Sequence, residues 1–125
     1  MARILVVEDD FSNADVIKQM LEEEHFEVES INTPWLIAQS INHFPPDLIL
    51  MDILLRTGDG RLFCNSLKEN PDTWHIPMLL ITAMLESEIP RVPCLPDAIM
   101  LKPFDYHKLT KTIKMLLQHS GEFRE

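Results

Sequence analysis

Six polar side chains in this sequence stand where they could share one reaction. Glu8, Asp9 and Asp10 follow the apolar run Ile4-Leu5-Val6-Val7, Asp52 follows Leu48–Met51, Thr82 follows Met78–Ile81, and Lys102 follows Ala98–Leu101. Carboxylates that converge repel one another and want a cation. An all-oxygen site with few protein ligands and several waters suits Mg²⁺. The Lys102 ammonium and the Thr82 hydroxyl suit the oxygens of a phosphoryl group. Asp52 is then the natural nucleophile, forming an aspartyl phosphate. Mg²⁺ and Lys102 would neutralise charge on the group in transfer.

That chemistry needs elements that bring the six together. Ile4–Val7 is apolar on both faces and reads as a fully buried strand. Ser12 is a candidate N-cap, with Asp15 three residues on, for a helix that turns Val16, Ile17, Met20 and Leu21 inward. Val28–Ile31 alternates weakly, as an edge strand does. Pro34 can open a second helix with Leu36, Ile37, Ile41 and Phe44 inward, and Pro45-Pro46 ends it. Leu48–Met51 is the third strand. A loop over 56–60 and a helix with Leu62, Phe63, Ser66 and Leu67 follow, stopped near Asn70-Pro71. Met78–Ile81 and Ala98–Leu101 are the fourth and fifth strands. Asp105 caps a last helix with Leu109, Ile113, Leu116 and Leu117 on its apolar face. Strands alternating with helices give an α/β sandwich around a parallel sheet, and such sheets bind ligands at the carboxyl ends of their strands. All six polar residues fall there.

The chain has 125 residues, room for one domain, read over 1–119 with a polar tail over 120–125. Hydrophobic residues at 46% and charged ones at 25% exclude a disordered acidic tail and a membrane protein. Eleven basic against twenty acidic residues leave a net charge of −9, which argues against DNA or RNA as a direct partner. Neither GxGxxG nor GxxxxGK[ST] occurs, so dinucleotide enzymes and P-loop NTPases are disfavoured. Cys64 and Cys94 form no CxxC pair, and Ile4–Val7 is too short for a signal peptide's core or a membrane span. A reduced, cytoplasmic setting is expected. The histidines His25, His43, His75, His107 and His119 lack ligand-like spacing.

With these motifs in view, the chain resembles the receiver domains of two-component response regulators. The matching residues are Glu8-Asp9 in ILVVEDD, Asp52 in PDLILMD, Thr82 in PMLLITA, and Lys102-Pro103-Phe104, over roughly residues 3 to 118. The resemblance implies a flavodoxin-like, doubly wound sheet of five parallel strands in the order 2-1-3-4-5. It implies that a partner histidine kinase or phosphotransfer protein delivers a phosphoryl group to Asp52. It also implies that Asp9 and Asp52 bind Mg²⁺ directly, with Glu8 acting through water and the Leu54 carbonyl completing the protein ligands. Asp10 lies where the family varies and reads as a solvated loop residue. The Lys102-Pro103 bond is expected to be cis. The downstream partner is an unnamed protein, and a homodimer is compatible with the family.

Three departures from the family pattern concern the signalling end. Arg56 stands four residues after Asp52, where the family usually has Pro, and Ile99 stands three before Lys102, where it usually has an aromatic. Between Thr82 and Lys102 the chain is about two residues shorter than usual and holds Pro90, Pro93 and Pro96. Each proline inside a helix costs about 3 kcal/mol and pushes its predecessor from helical angles. The family's fourth helix is therefore expected to be absent or strongly altered, replaced by an extended, polyproline-II-like path.

Two functions stay open: a phosphoacceptor switch, as a single-domain response regulator, and a phosphorylation-independent interaction module that keeps the site as a relic. A haloacid-dehalogenase-type phosphatase needs a second Asp two residues after the first, and Leu54 stands there. No output domain is read after the last helix, so the chain acts alone or is a piece of a longer regulator.

Overall fold

The computed structural model describes residues 1–122. The end of the expected polar tail, 123–125, lies outside the described residues. The elements in order are β1 (Arg3–Val7), α1 (Phe11–Glu23), β2 (Glu27–Ile31), a 3₁₀ turn (Pro34–Leu36) running into α2 (Ile37–His43), and β3 (Leu48–Asp52). A two-by-two hairpin, β4 (Leu54–Leu55) and β5 (Gly58–Asp59), leads to α3 (Gly60–Glu69). Then come β6 (Met78–Thr82), a 3₁₀ helix (Glu86–Arg91), β7 (Ala98–Leu101) and α4 (Tyr106–Glu122).

Five strands make one parallel sheet in the order β2-β1-β3-β6-β7. The hairpin forms its own two-stranded piece, so this is the expected order with the last two strands renumbered. Both faces are covered, which is why the central strands read as unbroken apolar runs. Ile4, Val6, Leu50, Leu79 and Ile81 pack under α1 and α4, against Ile17, Leu21, Leu109 and Ile113. Leu5, Val7, Ile49, Met51 and Leu80 pack under α2 and α3, against Ile37 and Cys64.

Several local expectations are corrected. Helix α1 is capped by Asp10, not Ser12: Asp10 is extended, and its Oδ1 accepts the Asn13 N–H at 2.9 Å. Asp and Ser rank alike as caps, and the turn directly after the strand-end acids takes the earlier one. Val16 and Leu36 face solvent. The segment between Thr82 and Ala98, called the strap below, holds no α-helix, in line with its prolines. Its path is not wholly extended, because Pro90 lies inside the 3₁₀ helix Glu86–Arg91. Proline's fixed φ suits a 3₁₀ turn, and few N–H groups are needed in so short a helix. Val92, which follows it, is extended (φ −115°, ψ 105°).

Candidate functional site: a carboxylate pair on one lysine

Ladder register sets the site. Asp52 is paired with Ile81, and Thr82 with Leu101, so β3, β6 and β7 end in step. Glu8 follows β1, and its N–H donates to the Ile31 carbonyl of the edge strand at 3.1 Å. The Lys102 N–H donates to the Thr82 carbonyl at 2.7 Å, and the Lys102-Pro103 peptide is cis.

The Lys102 Nζ donates to Asp52 Oδ2 at 2.7 Å and to Glu8 Oε1 at 3.1 Å. Glu8 and Asp52 are 2% and 5% exposed, and Thr82 is fully buried. Burial pushes the Glu8 carboxyl above its ordinary value, the Asp52 charge adds to this, and Lys102 only partly offsets it. Burial by itself would lower the Lys102 ammonium, but its bonds to Asp52 and Glu8 prevail and hold it high.

Main-chain donors fix the other polar groups. The Leu54 N–H donates to Asp52 Oδ1 at 2.9 Å, and the Met84 N–H donates to Thr82 Oγ1 at 2.9 Å. Asp9 accepts the Arg56 N–H on Oδ2 at 2.7 Å, with Arg56 Nε 4.0 Å away. The structure thus joins Glu8, Asp52 and Lys102 directly. Asp9 and Thr82 stand at neighbouring strand ends on bonds of their own, and Asp10 is the exposed helix cap.

The donor set fits Mg²⁺. Among the described residues no three His, Cys, Asp or Glu side chains are gathered as a finished metal cage, because Lys102 sits between Glu8 and Asp52 and Asp9 turns to Arg56. Three carboxylates against the Lys102 ammonium and the exposed Arg56 guanidinium leave an excess of one negative charge on hard oxygen donors. That is the charge and chemistry a small divalent cation balances.

Sequence reasoning missed a second set of contacts, between α3 and the strap. Arg61 Nη1 donates to the Glu88 and Ile89 carbonyls at 3.1 Å each, Asn65 Nδ2 to the Pro93 carbonyl at 2.7 Å, and Lys68 Nζ to Asp97 Oδ2 at 2.6 Å. Positions 61, 65 and 68 share one helical face, a spacing visible in the sequence.

A family model described as the response regulator receiver domain matches residues 4–114. The chain belongs to the response regulator receiver domain family. This receiver domain is similar to the response regulator PleD of Caulobacter vibrioides, 39% identical over 84 residues, covering 66% of this chain and 18% of that protein. It is 33% identical to the phosphate regulon transcriptional regulatory protein PhoB of Escherichia coli, covering 93% of this chain and 52% of that one. The chain thus spans about half the length of such relatives, or less. Among solved structures, the receiver domain of a signal transduction histidine kinase from Syntrophus aciditrophicus superposes with a TM-score of 0.88 at 30% identity, covering 95% of this chain and 92% of that one. The response regulator TrrA of Thermotoga maritima, solved in complex with Mg²⁺-BeF, has the same fold, with a TM-score of 0.82 at 22% identity over 93% of this chain and 99% of that one. Among the described residues no helix is long and apolar enough to cross a membrane.

Proposed function

We propose that this receiver domain takes a phosphoryl group onto Asp52 from a phosphohistidine of a histidine kinase or phosphotransfer protein, with Mg²⁺, and signals by contact with a downstream protein. The observation that carries this reading is the Lys102 ammonium held between Glu8 and Asp52, which come from two different strand ends. Asp9, Asp52 and the Leu54 carbonyl would hold Mg²⁺ directly, and Glu8 through water. When bound, the ion neutralises charge between the attacking carboxylate and the phosphoryl oxygens.

The chain's own residues supply the rest. An Asp52 carboxylate oxygen attacks phosphorus, and the donor's imidazole nitrogen leaves with the bonding electron pair. Lys102, already 2.7 Å from Asp52, follows the charge onto a phosphoryl oxygen. The Thr82 hydroxyl is oriented by the Met84 N–H, so its proton is free to donate to another. Apart from this self-modification no catalysis is proposed.

The strap favours the second reading, a module that binds partners without phosphorylation, since it replaces the helix beside β7. One experiment separates the two. With acetyl phosphate and Mg²⁺ the mass should rise by about 80 Da, one phosphoryl group. Asp52→Ala should show no gain. An unlabelled wild-type protein, or full labelling of Asp52→Ala, would overturn the proposal.

A further inference from the structure

Arg61 is a buried cation that the phosphoryl chemistry above leaves unused. It is the second residue of α3 and only 6% exposed. Its Nε and Nη2 hold the Asp59 carboxylate at 3.0 and 2.7 Å, while Nη1 reaches the Glu88 and Ile89 carbonyls. Its guanidinium fork is therefore shared between two loops.

The first loop is the hairpin. Asp59 pairs with Leu54, and the Leu54 N–H orients Asp52 Oδ1. The second loop is the strap, and the Met84 N–H at its start orients Thr82 Oγ1. The nucleophile and the hydroxyl are thus each aimed by an N–H two residues further on, and Arg61 spans the loops that carry both. There is little slack: Gly60 lies so close to the main chain of Asp52 and Ile53 that even a Cβ would collide with it.

We infer that Arg61 is a positioning residue for phosphoryl acceptance, tying the hairpin that aims Asp52 to the strap that aims Thr82. The inference rests on the phosphoacceptor reading for its kinetic part only. A role in merely fastening the strap, such as Asn65 has through Pro93, would leave the hairpin untouched.

The test uses Arg61→Met, with Asn65→Ala as the comparison. A double variant, Asp59→Asn with Arg61→Met, leaves no carboxylate unpaired and carries the same measurements should the single variant not fold. Amide hydrogen exchange is read first, without Mg²⁺ or phosphodonor. Loss of charge-assisted bonds should lower protection of both the Leu54 and Met84 amides by about tenfold, with β1 and β3 unchanged. Asn65→Ala should affect the strap alone. With acetyl phosphate, the maximal labelling rate of Arg61→Met should fall about tenfold at an unchanged half-saturating concentration. A loosened strap with an unchanged Leu54 amide, or an unchanged maximal rate, would overturn the inference. A wild-type protein that takes no phosphoryl group would sink the proposed function instead, and the exchange data would still decide whether Arg61 couples the loops.

Discussion

Replacing Asp97 by Ala should destabilise the domain well beyond the usual effect of a surface substitution. Asp97 Oδ2 accepts the Met78 N–H at 2.7 Å and the Lys68 Nζ at 2.6 Å, closing the far end of the strap onto the start of β6. Met78 is 1% exposed, so its N–H would be left buried without this acceptor. Such an orphan costs about 1–3 kcal/mol. The Lys68 pair adds less, about 0–1 kcal/mol, because both side chains reach solvent and Lys68 keeps the Trp74 and Ile76 carbonyls. A loss near 2.5 kcal/mol against an unfolding entropy of about 0.26 kcal/mol/K for 125 residues lowers the melting temperature by about 10 °C. Asp97→Asn keeps an oxygen for the Met78 N–H and should lose less than half of that. Raising the salt to about 1 M should screen only the Lys68 part. Thermal and urea unfolding by circular dichroism measure all three effects. If Asp97→Ala shifts stability by less than about 0.5 kcal/mol, or Asn is as damaging as Ala, the bond to Met78 is not the source.

Hydrolysis of the aspartyl phosphate should be slow. Under the proposed function, Leu54 and Met84, whose N–H groups bond Asp52 and Thr82, carry apolar side chains with no partner to offer an attacking water, so Leu54→Asn with Met84→Glu should shorten the phosphoryl lifetime by about tenfold or more; an unchanged lifetime by phosphate release would count against this. Burial pushes the Cys64 thiol up to about 11, and its side chain is fully enclosed. At pH 8 about one molecule in a thousand carries that thiolate, so iodoacetamide should label Cys94 first and Cys64 only in urea; equal rates by mass spectrometry would contradict it. A Cβ at position 60 would overlap the Asp52 carbonyl oxygen and meet Ile53 Cα at 3.0 Å. Gly60→Ala should therefore cost about 1–3 kcal/mol in urea unfolding and slow labelling of Asp52, and wild-type values for both would refute it.

The sheet was legible because its central strands are apolar on both faces, which in a short run leaves few alternatives to a buried parallel strand. The strap was legible through Pro90, Pro93 and Pro96, whose penalties are local and need no tertiary knowledge. For the site, Glu8, Asp52 and Lys102 were readable as a set from their strand-end positions, and the structure puts them within hydrogen-bond reach. The α3 contacts were harder to see. Arg61 and Asn65 bond to main-chain carbonyls, which leave no mark on hydrophobic periodicity, and Arg61 looks like any exposed helix arginine until its partners are placed. The expectation of Ser12 as cap, where the structure has Asp10, fails for a related reason. Both have the right chemistry, and only the path of the chain out of β1 selects one.

The way the strap is fastened bears on how freely its sequence can change. A helix in its place would oblige most of its residues to favour helical angles and to present one apolar face. Here Arg61 and Asn65 grip carbonyl oxygens of Glu88, Ile89 and Pro93, atoms that every amino acid possesses. That grip is blind to side-chain identity, so exposed positions such as Leu85, Ser87 and Leu95 can drift in sequence, or be rewritten by an engineer, without loosening the attachment. The strap is in this sense a socket for peptide grafts beside the carboxyl ends of the strands, gripped through its main chain by Arg61 and Asn65 of α3 and closed at its far end by its own Asp97.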